Sequence, residues 1–178
     1  MNICAFIPAR KNSKSIKDKN IRELGGKPLL AWSIESAQKA GIERIILNTD
    51  SQEYADIGKQ YGAEAMIRPS NLAQDKTSML EVLQSEIAKI KPKPDLVLLL
   101  QPTSPFRSSL HIKLAINMLT NNLDKYDSVI SVERVPEKYS PYAMILETSG
   151  GKGMLFRKLI GFKEKFISLF TGKKFIGP

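Results

Sequence analysis

The stretch Asn2-Ile-Cys-Ala-Phe-Ile-Pro-Ala-Arg-Lys-Asn-Ser-Lys-Ser-Ile-Lys-Asp-Lys-Asn20 decides the fold. Its first part, residues 2–8, is a short apolar run that reads as a buried strand. The rest places Arg10, Lys11, Lys14, Lys17 and Lys19 on one segment, with Asn12, Ser13 and Asn20 among them. A strand that empties into a basic, hydroxyl-bearing loop predicts a polyphosphate site. The ligand would be a nucleoside triphosphate or something equally anionic. The loop contains no glycine, so it is not a Walker A motif, and its grip must rest on side chains rather than on close backbone approach. Arg10 can fork onto two phosphate oxygens, while lysines such as Lys19 act as mobile point charges. Asn20 offers both a donor and an acceptor, which suits a base edge or a ribose hydroxyl.

Outward from this stretch the pattern alternates strand and helix. Residues 28–40 predict a helix with Leu30, Ile34 and Ala37 on one face, stopped by Gly41. Residues 43–49 predict a strand, 51–61 a helix ended by Gly62, and 63–67 a short third strand. Residues 78–90 carry Leu80, Leu83, Ile87 and Ile90 at helical spacing. Residues 95–100 are apolar enough to predict a fourth strand covered on both faces, in the middle of a parallel sheet. A helix over 108–119 and a strand over 128–135 complete the series. Strands separated by single helices predict an α/β fold, a doubly wound, Rossmann-like, mostly parallel sheet. Ligands then bind beyond the C-terminal strand ends, so the segments beginning at Ala9, Asp50 and Gln101 are the ones to inspect. After Val135 the pattern decays. Residues 136–142 read as an extended arm, 149–153 as a turn or link, and 155–170 as an amphipathic helix interrupted by Gly161.

Composition narrows the classes. The 178 residues, 42% apolar, suffice for one real core. The single cysteine, Cys4, excludes a disulfide framework and fits a reducing cytoplasm. The start has no lysine-rich segment leading into an apolar stretch, so no signal peptide is expected, and no run is long enough to cross a bilayer. The expectation is a cytoplasmic protein with no membrane partner. The net charge of +9 gathers in the first loop and the C-terminal tail. A nucleic-acid partner is not expected, because no aromatics interleave with the basic loop and no helix-turn-helix, zinc or RNA-recognition pattern is readable.

Several residues have two readings. Asp50 could ligate a metal, but Asp50-x-x-Glu53 also reads as a helix N-cap, which is the reading adopted. Ser78-x-x-Glu81 is a capping box, and a hydroxyl at a helix start can also meet a ligand. Arg68, held extended before Pro69, could reach a triphosphate or lie on the surface. Gln101 ends the apolar fourth strand in a stiff loop, Gln101-Pro-Thr-Ser-Pro-Phe-Arg107, and is read as a substrate contact. His111, the only histidine, is read as surface structure, and Trp32 as packing rather than a stacking platform.

Ile7-Pro-Ala-Arg10 with Ser13-Lys14 and Lys19-Asn20, then Gly26-Lys-Pro-Leu-Leu30, Asn48-Thr-Asp50, Arg68-Pro69 with Leu72-Ala73 and Asp75, and Leu99-Leu-Gln-Pro-Thr-Ser-Pro-Phe-Arg107 occur in this order. The chain resembles the acylneuraminate cytidylyltransferases, the CMP-sialic acid synthetase family, from about residue 2 to 135. CMP-Kdo synthetases, with a different first loop, rank second. The resemblance implies a fold of nucleotide-diphospho-sugar transferase type and a reaction of CTP with a nine-carbon 2-keto sugar acid, with Mg²⁺ beside the phosphates. It implies Arg10 and Lys19 as catalytic on the triphosphate, Asn20 on the cytosine and Ser13 in the phosphate loop. Arg68 and Ser78 would lie near the nucleotide, Ser78 to within one residue, and Gln101 would face the sugar. It divides the chain into a nucleotide-binding domain over 1–135 and, over 136–178, a shortened dimerisation arm and basic tail, with a homodimer expected. The family's aspartate pair for Mg²⁺ has no counterpart, since no aspartate follows Ile145. Phe175-Ile-Gly-Pro178 resembles the segment before that pair. The expectation is a C-terminally truncated member without metal ligands, either an enzyme or a catalytically impaired CTP-binding remnant.

Overall fold

The computed structural model describes residues 1–132 and the strands Ile145–Thr148 and Lys152–Leu155. The chain divides into two compact units, Met1–Ile112 and Lys113–Pro178.

The first unit is built on a four-stranded parallel sheet of β1 (Ile3–Pro8), β4 (Arg44–Thr49), β5 (Glu64–Ile67) and β6 (Leu96–Leu99), in the order β5-β4-β1-β6. Between β1 and β4 lie the two-residue strands β2 (Glu23–Leu24) and β3 (Lys27–Pro28), paired antiparallel, and helix α1 (Leu29–Lys39). Helix α2 (Gln52–Gln60) connects β4 to β5, and α3 (Met79–Ile87) leads towards β6. The chain builds β1, β4 and β5 outward in one direction, then returns to place β6 on the other side of β1. That reversal opens a crevice at the C-terminal ends of β1 and β6, where ligands of such sheets bind.

The core forms on both sheet faces. Cys4, Phe6, Ile46, Val82 and Ile90 make one buried cluster beneath α3. Leu30, Ile34 and Ala37 of α1 are fully buried, as their spacing predicts. Each such fully buried large apolar side chain contributes about 1.5–3 kcal/mol. The helix stops also fall where expected, with Gly41 at φ 85° and Gly62 at φ 86°, in the left-handed region that favours glycine.

Two expectations change in this unit, and one element was not foreseen. Helix α3 ends at Ile87, yet Ile90 beyond it is still buried in the core. Among the described residues β6 is an edge strand, not a central one; its residues are half-buried and Leu99 is 37% exposed. Apolar composition reports how well a strand's faces are covered, not which strands flank it. The hairpin of β2 and β3 was not read from the pattern at all, because two-residue strands carry no periodicity. It turns at Gly25 and Gly26, both at positive φ, as a two-residue hairpin of type I′ requires. Trp32 braces it by donating from Nε1 to the Leu24 carbonyl at 2.9 Å, with Lys27 Nζ 3.9 Å from the ring centroid. Trp32 is therefore packing, as expected.

Helix α4 (Ser109–Thr120) begins in the first unit and ends in the second. At its start the Ser108 amide donates to His111 Nδ1 and the His111 amide donates to Ser108 Oγ, each at 3.3 Å. His111 is thus the exposed structural residue expected. In the second unit, β7 (Ile145–Thr148) pairs antiparallel with β8 (Lys152–Leu155). The strand expected over 128–135 does not form in its described part, which holds only an isolated bridge residue, Val129. Lys152 and Gly153, expected in a turn, belong to β8, as does Leu155, expected to open a helix. The rest of that helix and the arm over 136–142 lie outside the described residues. Among the described residues no helix is long and apolar enough to cross a membrane.

The packing of α2 on β4 sets a steric limit. A Cβ at Gly58 would lie 2.4 Å from Leu47 Cδ2 and 3.3 Å from Leu47 Cβ, and Leu47 is fully buried. Gly58→Ala gains about 1 kcal/mol of helix propensity but overpacks the core by about 1–3 kcal/mol. We expect a Tm lower by a few degrees in thermal denaturation; a raised Tm would show that Leu47 yields.

Candidate functional site

The basic loop is fastened at both ends by side chains. The Ala9 amide donates to the Asn48 carbonyl at 2.9 Å, prolonging the β1–β4 pairing by one residue before the loop departs. Asp50 Oδ1 accepts the Lys11 amide at 2.9 Å, and Lys11 Nζ pairs with Glu53 Oε2 at 3.1 Å. The buried Tyr54 hydroxyl shares its hydrogen between the Lys11 carbonyl at 3.3 Å and Asp18 Oδ1 at 3.2 Å. Burial, followed by the nearby Asp18 carboxylate, holds that phenol well above its ordinary pKa, so it stays a donor. Asp18 sits at φ 51°, turning the chain into the 3₁₀ turn Lys19–Ile21. Within it Asn20, 6% exposed, donates from Nδ2 to the Arg10 carbonyl at 3.0 Å and closes the loop on itself. These contacts fix the shape of a loop that has no glycine.

Asp50 is therefore not the helix cap that the sequence suggested. Ser51 caps α2, its Oγ accepting the Tyr54 amide at 3.4 Å, and frees Asp50 to anchor the loop. The adjacent serine competes for the same cap, and a hydroxyl one residue nearer the helix wins it.

A cavity of about 230 Å³ lies in the crevice beyond the strand ends, bounded by Pro8 of β1, Arg68 after β5 and Gln101 after β6. Arg10, Ser13, Lys19 and Asn20 line it from the basic loop. Leu72, Gln74, Asp75, Thr77, Met79 and Val82 line it from the segment leading into α3, and Pro102 and Thr103 from the proline loop. A second cavity, of about 490 Å³, shares Arg10, Ser13, Gln74 and Asp75 with the first and adds Lys11, Lys14 and Lys17.

Arg68 is the most constrained cation in the site. It is 4% exposed, its amide donates to the Thr49 carbonyl at 2.9 Å, and its Nε is buried with no partner. Burial lowers its pKa, while the carboxylates of Asp50 and Glu86 raise it and Arg10 lowers it further. Glu86 is fully buried and accepts from Asn48 Nδ2 at 3.1 Å, and it is ion-paired to Lys89. Arg68 lines the cavity and keeps a buried guanidinium nitrogen without a partner, and such a cation suits an anion. Its burial excludes the reading of Arg68 as a surface arginine.

Asp75 stands opposite the loop. Its Oδ1 accepts from Arg10 Nη1 at 2.6 Å and its Oδ2 from Lys14 Nζ at 2.8 Å. These hydrogen bonds, Lys14 first and Arg10 second, hold its carboxyl below the ordinary pKa. Gln101 is exposed, and its carbonyl accepts from Arg107 Nη2 at 3.3 Å and Ser33 Oγ at 3.5 Å, which fixes the backbone of the proline loop. Ser78 does form the capping box with Glu81, and its neighbours Thr77 and Met79, not Ser78, line the cavity.

Of the residues expected from sequence, Arg10, Ser13, Lys19, Asn20, Arg68 and Gln101 meet at this one cavity. Sequence reasoning gave no role to Asp75, Thr77, Thr103 or Tyr54; a polar residue following a strand tip was available as a signal only for Thr103. Among the described residues no three His, Cys, Asp or Glu gather where they could hold a metal ion, and Asp75 is already committed to two cations. The described side chains therefore do not fit a protein-held Mg²⁺ ion.

A sequence profile described as cytidylyltransferase matches residues 4–148. The chain is 45% identical over 133 residues to an N-acylneuraminate cytidylyltransferase of Escherichia coli, covering 74% of this chain and 31% of that protein. It is 42% identical over 123 residues to a CMP-N,N'-diacetyllegionaminic acid synthase of Legionella pneumophila, covering 66% of this chain and 53% of that protein. The chain thus spans about a third to a half of the length of these relatives. Its fold is similar, at a TM-score of 0.77 and 14% identity, to a CMP:2-keto-3-deoxy-manno-octonic acid synthetase solved with CTP, covering 100% of this chain and 89% of that one.

The Asp50 anchor can be tested without a ligand. Asp50→Ala removes a charge-assisted acceptor of the kind that contributes about 1.5–3 kcal/mol. We expect amide exchange at residues 10–13 to quicken roughly tenfold or more, with α2 amides unchanged because Ser51 caps them. Faster exchange in α2 instead would show that Asp50 supports the helix.

Proposed function

The chain belongs to the cytidylyltransferase family, and on that premise we propose that it activates a nonulosonic, sialic-type acid with CTP for surface glycan biosynthesis. The products are CMP-sugar and pyrophosphate. The observation that carries this reading is the meeting of Arg10, Lys19 and the buried Arg68 on one cavity at the reversal point of the sheet.

In this reading the sugar's anomeric hydroxyl oxygen attacks the α-phosphorus, its proton is lost, and the bond to the bridging oxygen of pyrophosphate breaks. The protein's part is positioning and charge stabilisation. Arg10 and Lys19 act on the triphosphate and Ser13 contributes from the same loop. Arg68 supplies a pre-placed, desolvated cation whose attraction for the phosphates is strengthened by its burial. Asn20 has spent its Nδ2 on the Arg10 carbonyl, which leaves its Oδ1 to accept from the cytosine amino group. Gln101, on a loop held by Arg107, faces the acceptor sugar. Ser78 enters at the start of α3, beside the cavity-lining Thr77.

A divalent cation, expected to be Mg²⁺, belongs to the reading as the group that offsets phosphate charge. It would come with the triphosphate, since the described residues offer it no cluster of ligands. A homodimer through the arm beginning at residue 136, a division near residue 135 and a cytoplasmic setting complete the proposal.

Thermal-shift titration separates the outcomes. The chain is expected to be stabilised by CTP well above ATP or single-stranded DNA, and Arg10→Ala to weaken CTP at least about tenfold, the loss of a charge-assisted contact. Unchanged affinity in Arg10→Ala would refute the triphosphate placement. Pyrophosphate release with sialic, legionaminic or pseudaminic acid then distinguishes an enzyme from a CTP-binding remnant.

A further inference from the structure

Asp75 is the one carboxylate lining the 230 Å³ cavity, and the larger cavity shares it. Its two oxygens are each taken by a cation of the basic loop, Arg10 at 2.6 Å and Lys14 at 2.8 Å. This is the donor set, one arginine and one lysine on adjacent oxygens, that a phosphate group would use. The carboxylate is 38% exposed and lies between the short turn Ser70–Ala73 and α3, outside regular structure, so it can move away without breaking a helix or strand.

We propose that Asp75 is a resident counter-ion that exchanges with ligand phosphate on Arg10 and Lys14. With the cavity empty, Asp75 offsets the repulsion among the loop cations and keeps Arg10 directed across the crevice. A ligand phosphate takes over these donors and displaces the carboxylate. When pyrophosphate leaves, Asp75 reclaims them, and this return competes with rebinding. The residue thus limits affinity for phosphate and favours release of the product. The inference rests on the reading of this cavity as the CTP site, although its first step requires only that the cavity take a polyphosphate.

The test measures binding of inorganic pyrophosphate, CTP and cytidine by calorimetry to the chain and to Asp75→Asn and Asp75→Ala. Each is measured with EDTA and again with Mg²⁺. Removal of a competing exposed ion pair is expected to tighten pyrophosphate and CTP by about threefold or more in both variants, and to leave cytidine unchanged. Equal or weaker pyrophosphate affinity would overturn the proposal, because Asp75 would then serve only to hold Arg10 in place. Weakening confined to Mg²⁺ would overturn it too, by making Asp75 a metal ligand. Tighter pyrophosphate without any selective binding of CTP would uphold the exchange and defeat the CTP reading. Absence of any polyphosphate binding would defeat both.

Discussion

Like charges gathered in a crevice repel, and this repulsion strengthens as the crevice is desolvated. The site depends on how the fold contains it. Arg10 and Lys14 are held by Asp75, and Lys11 by Glu53. Arg68, which no carboxylate touches, is offset at longer range by Asp50 and Glu86. The arrangement is graded. Exposed cations have exposed partners that contribute little net energy. The buried cation has a buried carboxylate behind it, fixed by Asn48 and Lys89, that a ligand cannot displace.

The same economy explains how a basic loop without glycine keeps its shape. Backbone approach is unavailable to it, so its shape is imposed by side chains reaching from β4 and α2: Asp50 to an amide, Tyr54 to a carbonyl, and Asn20 across the loop's base. Two of these three come from elements that precede no ligand contact of their own. The end of β4 thus serves the site indirectly, by fastening what β1 releases.

Much of this was legible in the sequence, and the failures share a cause. β1, β4, α1 and α2 were readable because their signals are local, in apolar runs, helical spacing and the stops at Gly41 and Gly62. Arg10, Lys19 and Gln101 were readable because each follows a strand, and strand ends are where such sheets bind ligands. What failed was lateral or pairwise. The edge position of β6 depends on which strands pair with it, and no composition reports that. The exchange of roles between Asp50 and Ser51 turned on a single residue of register. Asp75 entered only among the residues of the resemblance and was given no role, because its partner Arg10 lies across a separation of 65 residues. The resemblance to known cytidylyltransferases placed these residues in order, but it did not say which touch.

The start of α3 shows how local chemistry can decide between neighbours that sequence comparison leaves equivalent. Ser78 Oγ accepts the Glu81 amide at 3.2 Å and donates to Glu81 Oε2 at 3.0 Å, while Glu81 Oε2 also accepts the Ser78 amide at 2.7 Å. The hydroxyl's hydrogen and one lone pair are thereby spent within the cap. The Glu81 carboxylate also brings negative charge to the helix N-terminus, which lowers its attraction for an incoming phosphate. Thr77, one residue earlier, donates its hydrogen to the Asn71 carbonyl at 3.0 Å and lines the cavity. Of the two, Ser78 is the residue that sets where α3 begins, and Thr77 is the one that lines the cavity. The capping box thus matters to the site through the neighbour it presents.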